Sequence, residues 1–282
     1  MKDVPLFSDF LSFSNDDIAP NVPETLIYSV SGTRRSAALA GISPNGEEYA
    51  VWSRKEMLKC VQILFDHGVK NVLMPILTPS QFNESTRNYS EHLWRWIDWG
   101  LASEGAIDEF NRRGWYVNIP FADFMPELAF AKKRLAQLPS EDRPRLWVFV
   151  IPSHNAMMEW MLKMVQANPS MSDSEDVIRL LYGEDIVPAS MYLDFGKPVV
   201  SPDLVPPFLA GVMHCYWSQK PGYSLTDGLF RSVLYDYLYL RKTWAKDKSN
   251  RPSQILDHAD IWQSDRILGL GQELGPYWYP VS

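Results

Sequence analysis

Apolar runs typical of β-strands alternate with longer helical patterns along most of this chain of 282 residues. Continuous apolar strands separated by helices are typical of a parallel sheet that helices cover on both faces. The predicted strands lie at 25–30, 71–77, 115–121, 145–151, 190–195 and 211–217. The predicted helices lie at 53–67, 89–102, 107–112, 124–137, 155–166, 173–182 and 227–244. The pattern predicts an α/β fold with a mostly parallel sheet of six strands.

The chain is expected to form a single domain over residues 1–282. Its hydrophobic content of 46% suffices for one large domain or for two small ones. The proline-rich stretch 197–207 resembles a linker, but the strand and helix that follow it continue the same alternation. We therefore expect one domain, with residues 1–24 and 245–282 as peripheral extensions.

Three local signals indicate where helices begin and end. Gly68 follows a helical run, at the position where a helix C-terminus favours glycine. Ser53 precedes Glu56 by three residues, which is the spacing of a capping box at a helix start. Thr226 is the expected N-cap of the last long helix.

Charge and composition exclude several classes of protein. The net charge is -7 and the sequence holds no basic stripe, so nucleic acid is not an expected partner. No apolar run is long enough to span a bilayer, and the first residues lack the apolar core of a signal peptide. The two cysteines, Cys60 and Cys215, provide neither a disulfide framework nor a zinc set. We therefore expect a cytoplasmic protein.

Aromatic side chains are abundant, with 11 Trp, 13 Tyr and 13 Phe. Large rings fill a core well, which is one explanation of the excess. A large apolar pocket, or one that faces a carbocation with π electrons, is the other. Composition alone leaves both open.

The turn Ser31-Gly32-Thr33-Arg34-Arg35 follows the first predicted strand. In open parallel sheets, ligands bind outside the carboxyl ends of the strands. Backbone N–H groups at a helix start and a pair of arginines both favour a phosphate or a diphosphate. The alternative is a surface turn with two solvated arginines.

Two observations limit this interpretation of the turn. Residues 41–46 hold two glycines, so we do not expect a helix to begin directly after the arginines. The turn also lacks the Gly-Lys-Ser/Thr of a P-loop and the glycine spacing of a dinucleotide fingerprint. A mononucleotide or dinucleotide cofactor is therefore not predicted.

Two further segments are candidates for a site. Tyr89, Leu93, Trp96 and Gly100 share one face of a predicted helix, with Trp94 and Trp99 beside it. This face either packs into the core or forms the wall of a lipid-sized tunnel. His154 follows the strand at 145–151, and is either a helix-start or core residue or a catalyst.

Several motifs together resemble the cis-prenyltransferase superfamily, and within it the bacterial diterpene synthases of the tuberculosinol (tuberculosinyl adenosine) synthase type. The order and spacing of the motifs over residues 25–242 carry the resemblance, because no single motif is decisive. The matching motifs are Gly32-Thr33-Arg34-Arg35, Leu64-Phe65-Asp66-His67-Gly68-Val69, Met74-Pro75-Ile76, Leu181-Tyr182-Gly183-Glu184 and Leu234-Tyr235-Asp236-Tyr237-Leu238-Tyr239-Leu240-Arg241.

The resemblance implies a fold, a ligand and catalytic residues. The fold is a six-stranded parallel sheet with surrounding helices and one elongated hydrophobic tunnel, in a catalytic domain that forms a homodimer. The ligand is an allylic diphosphate, held at the turn of residues 31–35. Tyr49 and Tyr89 match tyrosines that take part in catalysis in this family, although Tyr89 matches only after a shift of one residue.

The chain departs from the family pattern at Ser31. The family motif begins with an aspartate that binds Mg²⁺, and a hydroxyl is a poor substitute for a carboxylate toward a hard cation. Three explanations are open: arginines and backbone donors ionise the substrate, another carboxylate holds the metal, or activity is lost. A Mg²⁺ cofactor is therefore in doubt.

A second departure concerns the region 194–207. Chain-elongating members of the family hold a second diphosphate there with arginines, whereas this sequence has one lysine and no arginine. This argues against chain elongation and for a reaction of a single substrate.

The leading hypothesis is a terpene synthase. It removes diphosphate from an allylic prenyl diphosphate, of C20 length and linear or bicyclic, with Arg34 and Arg35 assisting the departure. Water or proton loss then quenches the cation, to give a diterpene alcohol or hydrocarbon. The alternatives are prenyl transfer to a non-isoprenoid acceptor such as a nucleoside, and a non-catalytic subunit.

Overall fold

The computed structural model describes residues 4–44, 46–84, 89–171, 173–241, 255–263 and 267–281. A six-stranded sheet has the order β3-β4-β2-β1-β5-β6, and all its pairings are parallel. This confirms the predicted α/β fold. The strands are β1 (Thr25–Val30), β2 (Asn71–Leu77), β3 (Tyr116–Asn118), β4 (Arg145–Val150), β5 (Ala189–Phe195) and β6 (Ala210–Ser218).

Helices flank the sheet and connect its strands. Each is followed here by the residues it spans: α1 (Phe7–Leu11), α2 (Asn15–Ile18), α3 (Thr33–Leu39), α4 (Glu47–Asp66), α5 (Pro79–Phe82), α6 (Tyr89–Ile97), α7 (Glu104–Arg113), α8 (Ala129–Leu135), α9 (Ala156–Ala167), α10 (Ser174–Tyr182) and α11 (Asp227–Tyr235). The helices α6 and α11 each continue into a π-helical turn, at Asp98–Ala102 and Asp236–Leu240. A short helix (Ala259–Trp262) and an antiparallel hairpin of β7 (Gly271–Leu274) and β8 (Tyr277–Pro280) follow.

The strand order places a crossover point between β1 and β5. After β1 the chain crosses to β2 on one side, and after β5 it crosses to β6 on the other. Loops that leave neighbouring strands in opposite directions open a crevice at their carboxyl ends, where α/β proteins bind ligands. The predicted turn after β1 therefore lies at the edge of the sheet where a site is expected.

The helix that follows this turn was not expected from the sequence. The helix α3 begins at Thr33, directly after Gly32, and the glycine-bearing segment at 41–46 separates it from α4 instead of preceding the first helix. The predicted capping box at Ser53 is also wrong, because Ser53 lies inside α4. Gly46 is the N-cap of that helix, and two glutamates in its first turn complement the positive end of the helix dipole.

The amino-terminal segment contributes to the core, although its helices are short. Phe10 and Ile18 are almost fully buried, with 1% and 2% of their surface exposed. Arg231 of α11 anchors this segment, because its guanidinium donates hydrogen bonds to the Phe13 carbonyl oxygen at 2.8 Å and to Asn15 Oδ1 at 2.6 Å. A segment expected to be peripheral is thus tied to the domain.

The structure confirms that Gly68 ends a helix, and it shows why a larger residue does not fit. Gly68 has a φ of +95°, and a Cβ there would lie 2.6 Å from the Ala19 Cβ. Gly114, which ends α7, has a φ of +68° with no atom within 4 Å of the corresponding position. The two glycines therefore share a left-handed backbone but differ in their surroundings.

We expect Gly68→Ala to destabilise the fold more than Gly114→Ala. The left-handed backbone costs about 1–2 kcal/mol in both variants, and overpacking against Ala19 adds roughly 1–3 kcal/mol in the first. Urea unfolding gives both free energies, and Gly114→Ala serves as the control for backbone strain. Equal losses of stability would contradict the steric contact with Ala19.

Candidate active site

A cavity of about 750 Å³ opens at the carboxyl ends of β1 and β2. Its lining includes the whole predicted turn, residues 31–35, and also Tyr49, which α4 contributes. The structure thus brings together six of the seven residues that the sequence selected for a site. Their position at the crossover point agrees with the rule for ligand sites in open parallel sheets.

The turn is fixed to its neighbours by backbone hydrogen bonds. The Ser31 N–H donates to the Phe195 carbonyl oxygen at 2.8 Å, and the Ser31 carbonyl oxygen accepts from the Gly222 N–H at 2.8 Å. Gly32, with a φ of +75°, then turns the chain into α3. The first N–H groups of a helix have no partner within the helix, and those of residues 33–35 are the first of α3.

Arg35 folds back over the turn. A Cβ at Gly32 would overlap the Arg35 guanidinium, so the missing Cβ leaves room for this close approach, and the positive φ favours glycine. The guanidinium carbon of Arg35 also lies 5.5 Å from the centre of the Tyr277 ring, in the carboxyl-terminal hairpin. Its position is therefore set by the glycine on one side and by an aromatic ring on the other.

Arg34 forms a bidentate ion pair with Glu84, which follows α5. Both hydrogen bonds, Nη1 to Oε1 and Nη2 to Oε2, measure 2.9 Å. The Arg34 side chain is 43% exposed and that of Glu84 is 23% exposed. The pair lies at the surface of the cavity, where an anionic ligand has access to the guanidinium.

Tyr49 is buried in the cavity wall, with 9% of its surface exposed. Its hydroxyl lies 2.5 Å from Thr33 Oγ1, which joins α4 to the turn. Burial raises the pKa of the Tyr49 phenol, and the hydrogen bonds with Thr33 and Ser53 and the charge of Arg34 offset this only in part. Tyr49 is therefore a neutral hydrogen-bonding group at neutral pH, not a base.

The predicted aromatic helix forms part of the same wall. Leu93, Trp96 and Gly100 line the cavity, and Trp99 joins them. Trp94 does not, because its ring packs against Phe82 at a centroid distance of 5.1 Å. Three of the four residues of this face thus line the cavity, and the elongated tunnel stays a prediction.

Tyr89 begins α6, but its side chain lies outside the part of the chain that the structure describes. The catalytic role that the resemblance assigns to Tyr89 therefore stays a prediction.

Arg54 is a cavity residue that the sequence analysis missed. Its Nε donates to the Gly100 carbonyl oxygen at 2.7 Å, and its Nη1 donates to Glu109 at 2.8 Å. Burial alone would raise the pKa of Glu109, but the hydrogen bonds from Arg54 and Arg113 lower it. Arg54 follows Ala50 by four residues on α4, a spacing that places two cavity residues on one face of the helix.

Two loops meet at the rim of the cavity through a histidine and an aspartate. His154 Nδ1 and Asp203 Oδ2 are 2.7 Å apart, and both residues line the cavity. The sequence placed His154 at this edge of the sheet, and the structure confirms that position. Asp203 was missed, since nothing in the irregular region 194–207 indicates which side chain turns inward.

No protein-family model matches the chain. The (+)-kolavelool synthase of Herpetosiphon aurantiacus is 42% identical over 283 residues, which cover 100% of this chain and 98% of that protein. This chain belongs to the same family of diterpene synthases. The tuberculosinyl adenosine transferase of Mycobacterium tuberculosis is 22% identical over 273 residues, covering 91% of the synthase and 90% of the transferase.

Solved structures agree with the fold of the synthase. A lavandulyl diphosphate synthase from Lavandula x intermedia, solved with dimethylallyl diphosphate, superposes with a TM-score of 0.58 at 14% identity. The superposition covers 78% of this chain and 96% of the lavandulyl diphosphate synthase chain. A probable undecaprenyl diphosphate synthase from Campylobacter jejuni gives a TM-score of 0.55 at 11% identity, covering 80% and 100%. These likenesses confirm the predicted cis-prenyltransferase fold.

Within the described ranges, none of the synthase's helices has both the length and the apolar character needed to span a bilayer.

The donor atoms at the turn do not fit a Mg²⁺ site. Ser31 supplies a hydroxyl, and the nearby carboxylates of Glu84 and Asp203 are engaged with Arg34 and His154. Among the residues that the structure describes, no three His, Cys, Asp or Glu side chains gather where they would hold a metal ion. Hard divalent cations take several oxygen ligands, so the described side chains alone do not form a Mg²⁺ site.

Asp194 is a buried carboxyl group next to the site. It pairs in register with Ser29, which lines the cavity, and 1% of its surface is exposed. Burial raises its pKa from 3.8 to about 7, against the opposing hydrogen bonds from Ser29 and from the Phe195 backbone. Its Oδ1 has no hydrogen-bond partner among the described residues.

We expect Asp194 to make stability depend on pH. Between about pH 4 and about pH 7 the folded chain keeps a proton that the unfolded chain has lost, so this contribution is full at low pH and is lost as the pH rises. The Asp194→Asn variant lacks this pH-dependent contribution. Between about pH 5 and about pH 8, the free energy of unfolding of the wild type therefore falls by roughly 2–3 kcal/mol more than that of the variant.

Urea unfolding at both pH values measures this difference. Asp185→Asn is the matched control, because the Asp185 side chain is 71% exposed. An identical pH dependence for wild type and Asp194→Asn would contradict the raised pKa.

Proposed function

We propose that this synthase removes diphosphate from a C20 allylic prenyl diphosphate and captures the cation with water to give a diterpene alcohol. The observation that carries the proposal is the start of α3 at Thr33, directly after Gly32. It brings three backbone N–H groups, Arg34 and Arg35 to one end of a 750 Å³ cavity. The name of the Herpetosiphon relative, a kolavelool synthase, supports the C20 length.

The leaving group binds at the turn. Arg35 lies over Gly32 and supplies one fixed positive charge, and Arg34 supplies another when a diphosphate oxygen replaces Glu84. A hydrogen bond to a charged group contributes roughly 1.5–3 kcal/mol. Donors placed where negative charge develops stabilise the departing diphosphate more than the bound substrate, which lowers the barrier to ionisation.

The prenyl chain and the cation occupy the aromatic part of the cavity. Tyr49, Trp96 and Trp99 present rings to this space, and ring faces attract a cation by roughly 0.5–2 kcal/mol each. The neutral Tyr49 hydroxyl orients water through its hydrogen bond with Thr33. Tyr89 is the second candidate for this role.

A single substrate fits the region after β5 better than two. A second diphosphate would need cations there, but Lys197 is the one basic residue of the region 194–207. This favours ionisation of one diphosphate over chain elongation.

Transfer to an acceptor is the second candidate function. The mycobacterial relative is named as a transferase of tuberculosinyl to adenosine, and its 22% identity is much lower than the 42% of the kolavelool synthase. Water is therefore the acceptor that we favour. A homodimer and a cytoplasmic location remain predictions.

Incubation of the purified synthase with C10, C15 and C20 diphosphates tests the proposal. We expect release of diphosphate from the C20 substrates, linear or bicyclic, with an alcohol in the organic extract. Parallel reactions contain adenosine, EDTA or added Mg²⁺, which test the acceptor and the metal separately. The absence of diphosphate release under all these conditions would refute the proposed function.

The contact between Gly32 and Arg35 predicts a loss of activity. Gly32→Ala displaces the guanidinium, so we expect kcat/KM for diphosphate release to fall roughly 10- to 150-fold, the equivalent of one charged hydrogen bond. Gly41→Ala is the control, since Gly41 has the same φ of +75° with no atom within 4 Å of its Cβ position. A loss of similar size in both variants would contradict a role for Arg35.

A further inference from the structure

The pair of His154 and Asp203 bridges the mouth of the cavity. His154 follows β4, and Asp203 lies in a helical turn (Pro202–Leu204) that follows β5. In the sheet, β2 and β1 lie between β4 and β5, so the two loops that meet at this pair start three strand spacings apart, or about 14 Å. The pair therefore lies above the carboxyl ends of β1 and β2, where the turn of residues 31–35 begins.

The contact with Asp203 defines the orientation of the imidazole. Asp203 is buried, with 8% of its surface exposed, whereas the His154 side chain is 75% exposed. His154 Nδ1 lies 2.7 Å from Asp203 Oδ2, so the carboxyl group faces this ring nitrogen. Nε2 is then the ring nitrogen left to accept a proton from water.

Tyr49 and the two arginines of the turn are less suited to accept a proton. Burial raises the pKa of Tyr49, so its phenol stays protonated at neutral pH. Both arginines are permanently charged. His154 combines a second ring nitrogen with access to solvent, which supplies the water.

We propose that His154 is the base that activates water for capture of the cation, and that Asp203 positions it. This inference rests on the proposed function. The water oxygen forms a bond to the cationic carbon, one O–H bond breaks, and its proton passes to His154 Nε2. The Asp203 carboxylate stabilises the resulting imidazolium, which returns the proton to solvent. The diphosphate leaves in the preceding step, in which His154 takes no part.

His154→Gln and His154→Ala separate capture of the cation from its formation. We expect diphosphate release within about twofold of the wild-type rate, because ionisation precedes the step of His154. The ratio of alcohol to hydrocarbon falls roughly 100-fold, at the lower end of the effect of a general base. Added imidazole restores the alcohol in His154→Ala. His258→Gln, which removes an exposed histidine outside the cavity, leaves both readouts unchanged.

Asp203→Asn tests the positioning role. The amide does not hold the Nδ1 proton as the carboxylate does, so we expect an alcohol-to-hydrocarbon ratio between those of wild type and His154→Gln. Thermal unfolding establishes that this variant is folded, since Asp203 is buried. A structural role alone would change the melting temperature and not the product ratio.

The outcomes distinguish this inference from the proposed function. An unchanged product ratio in His154→Gln, with diphosphate release intact, would overturn the role of His154 and leave the proposed function standing. That result would indicate that the departing diphosphate accepts the proton from water. Loss of diphosphate release in the variant, or a wild-type product that is hydrocarbon alone, would also overturn the inference. A wild-type protein that releases no diphosphate would overturn both.

Discussion

The left-handed backbone at Gly32 is the constraint on which the site depends. Between β1 and α3 it turns the chain within two residues, so the first N–H groups of the helix and two arginine side chains lie at the crossover point of the sheet. The missing Cβ also leaves the space that the Arg35 guanidinium occupies. Hydrogen bonds from the turn to β5 and to residue 222 hold this geometry, so the backbone fixes where the two arginine side chains begin.

The cavity has a polar part at the turn of residues 31–35 and an aromatic part at Trp96 and Trp99. Under the proposed function, the charged and hydroxyl groups at the turn face a leaving group that is strongly anionic. In the aromatic part, Trp96 and Trp99 provide ring surface for the apolar prenyl chain and for the carbocation of the proposed reaction. Tyr49 joins the two parts, because its ring packs at 6.1 Å from that of Trp96 while its hydroxyl bonds to Thr33. Under the proposed function, the diphosphate and the carbocation are therefore stabilised in neighbouring parts of the cavity.

The sequence predicted the sheet well because buried parallel strands are continuous apolar runs with glycine or polar residues at their ends. β1 and β2 match their predicted bounds, and Gly68 ends α4 as expected. The start of α3 was missed, since two glycines in 41–46 mark the gap between two helices and not a loop before one helix. Arg54 and Asp203 were missed for a different reason. Both act through tertiary contacts, which no periodic pattern in the sequence records.

The distribution of countercharges indicates how the site accepts a diphosphate without an aspartate at the turn. Arg34, Arg54 and His154 each lie against a carboxylate, at Glu84, Glu109 and Asp203. Arg35 has no carboxylate within ion-pair distance among the described residues, and an aromatic ring holds it instead. A diphosphate therefore meets Arg35 without displacing an anion, whereas binding to Arg34 requires exchange of Glu84. Since a half-exposed ion pair contributes about 1 kcal/mol or less, this exchange costs little against a charged hydrogen bond to the ligand.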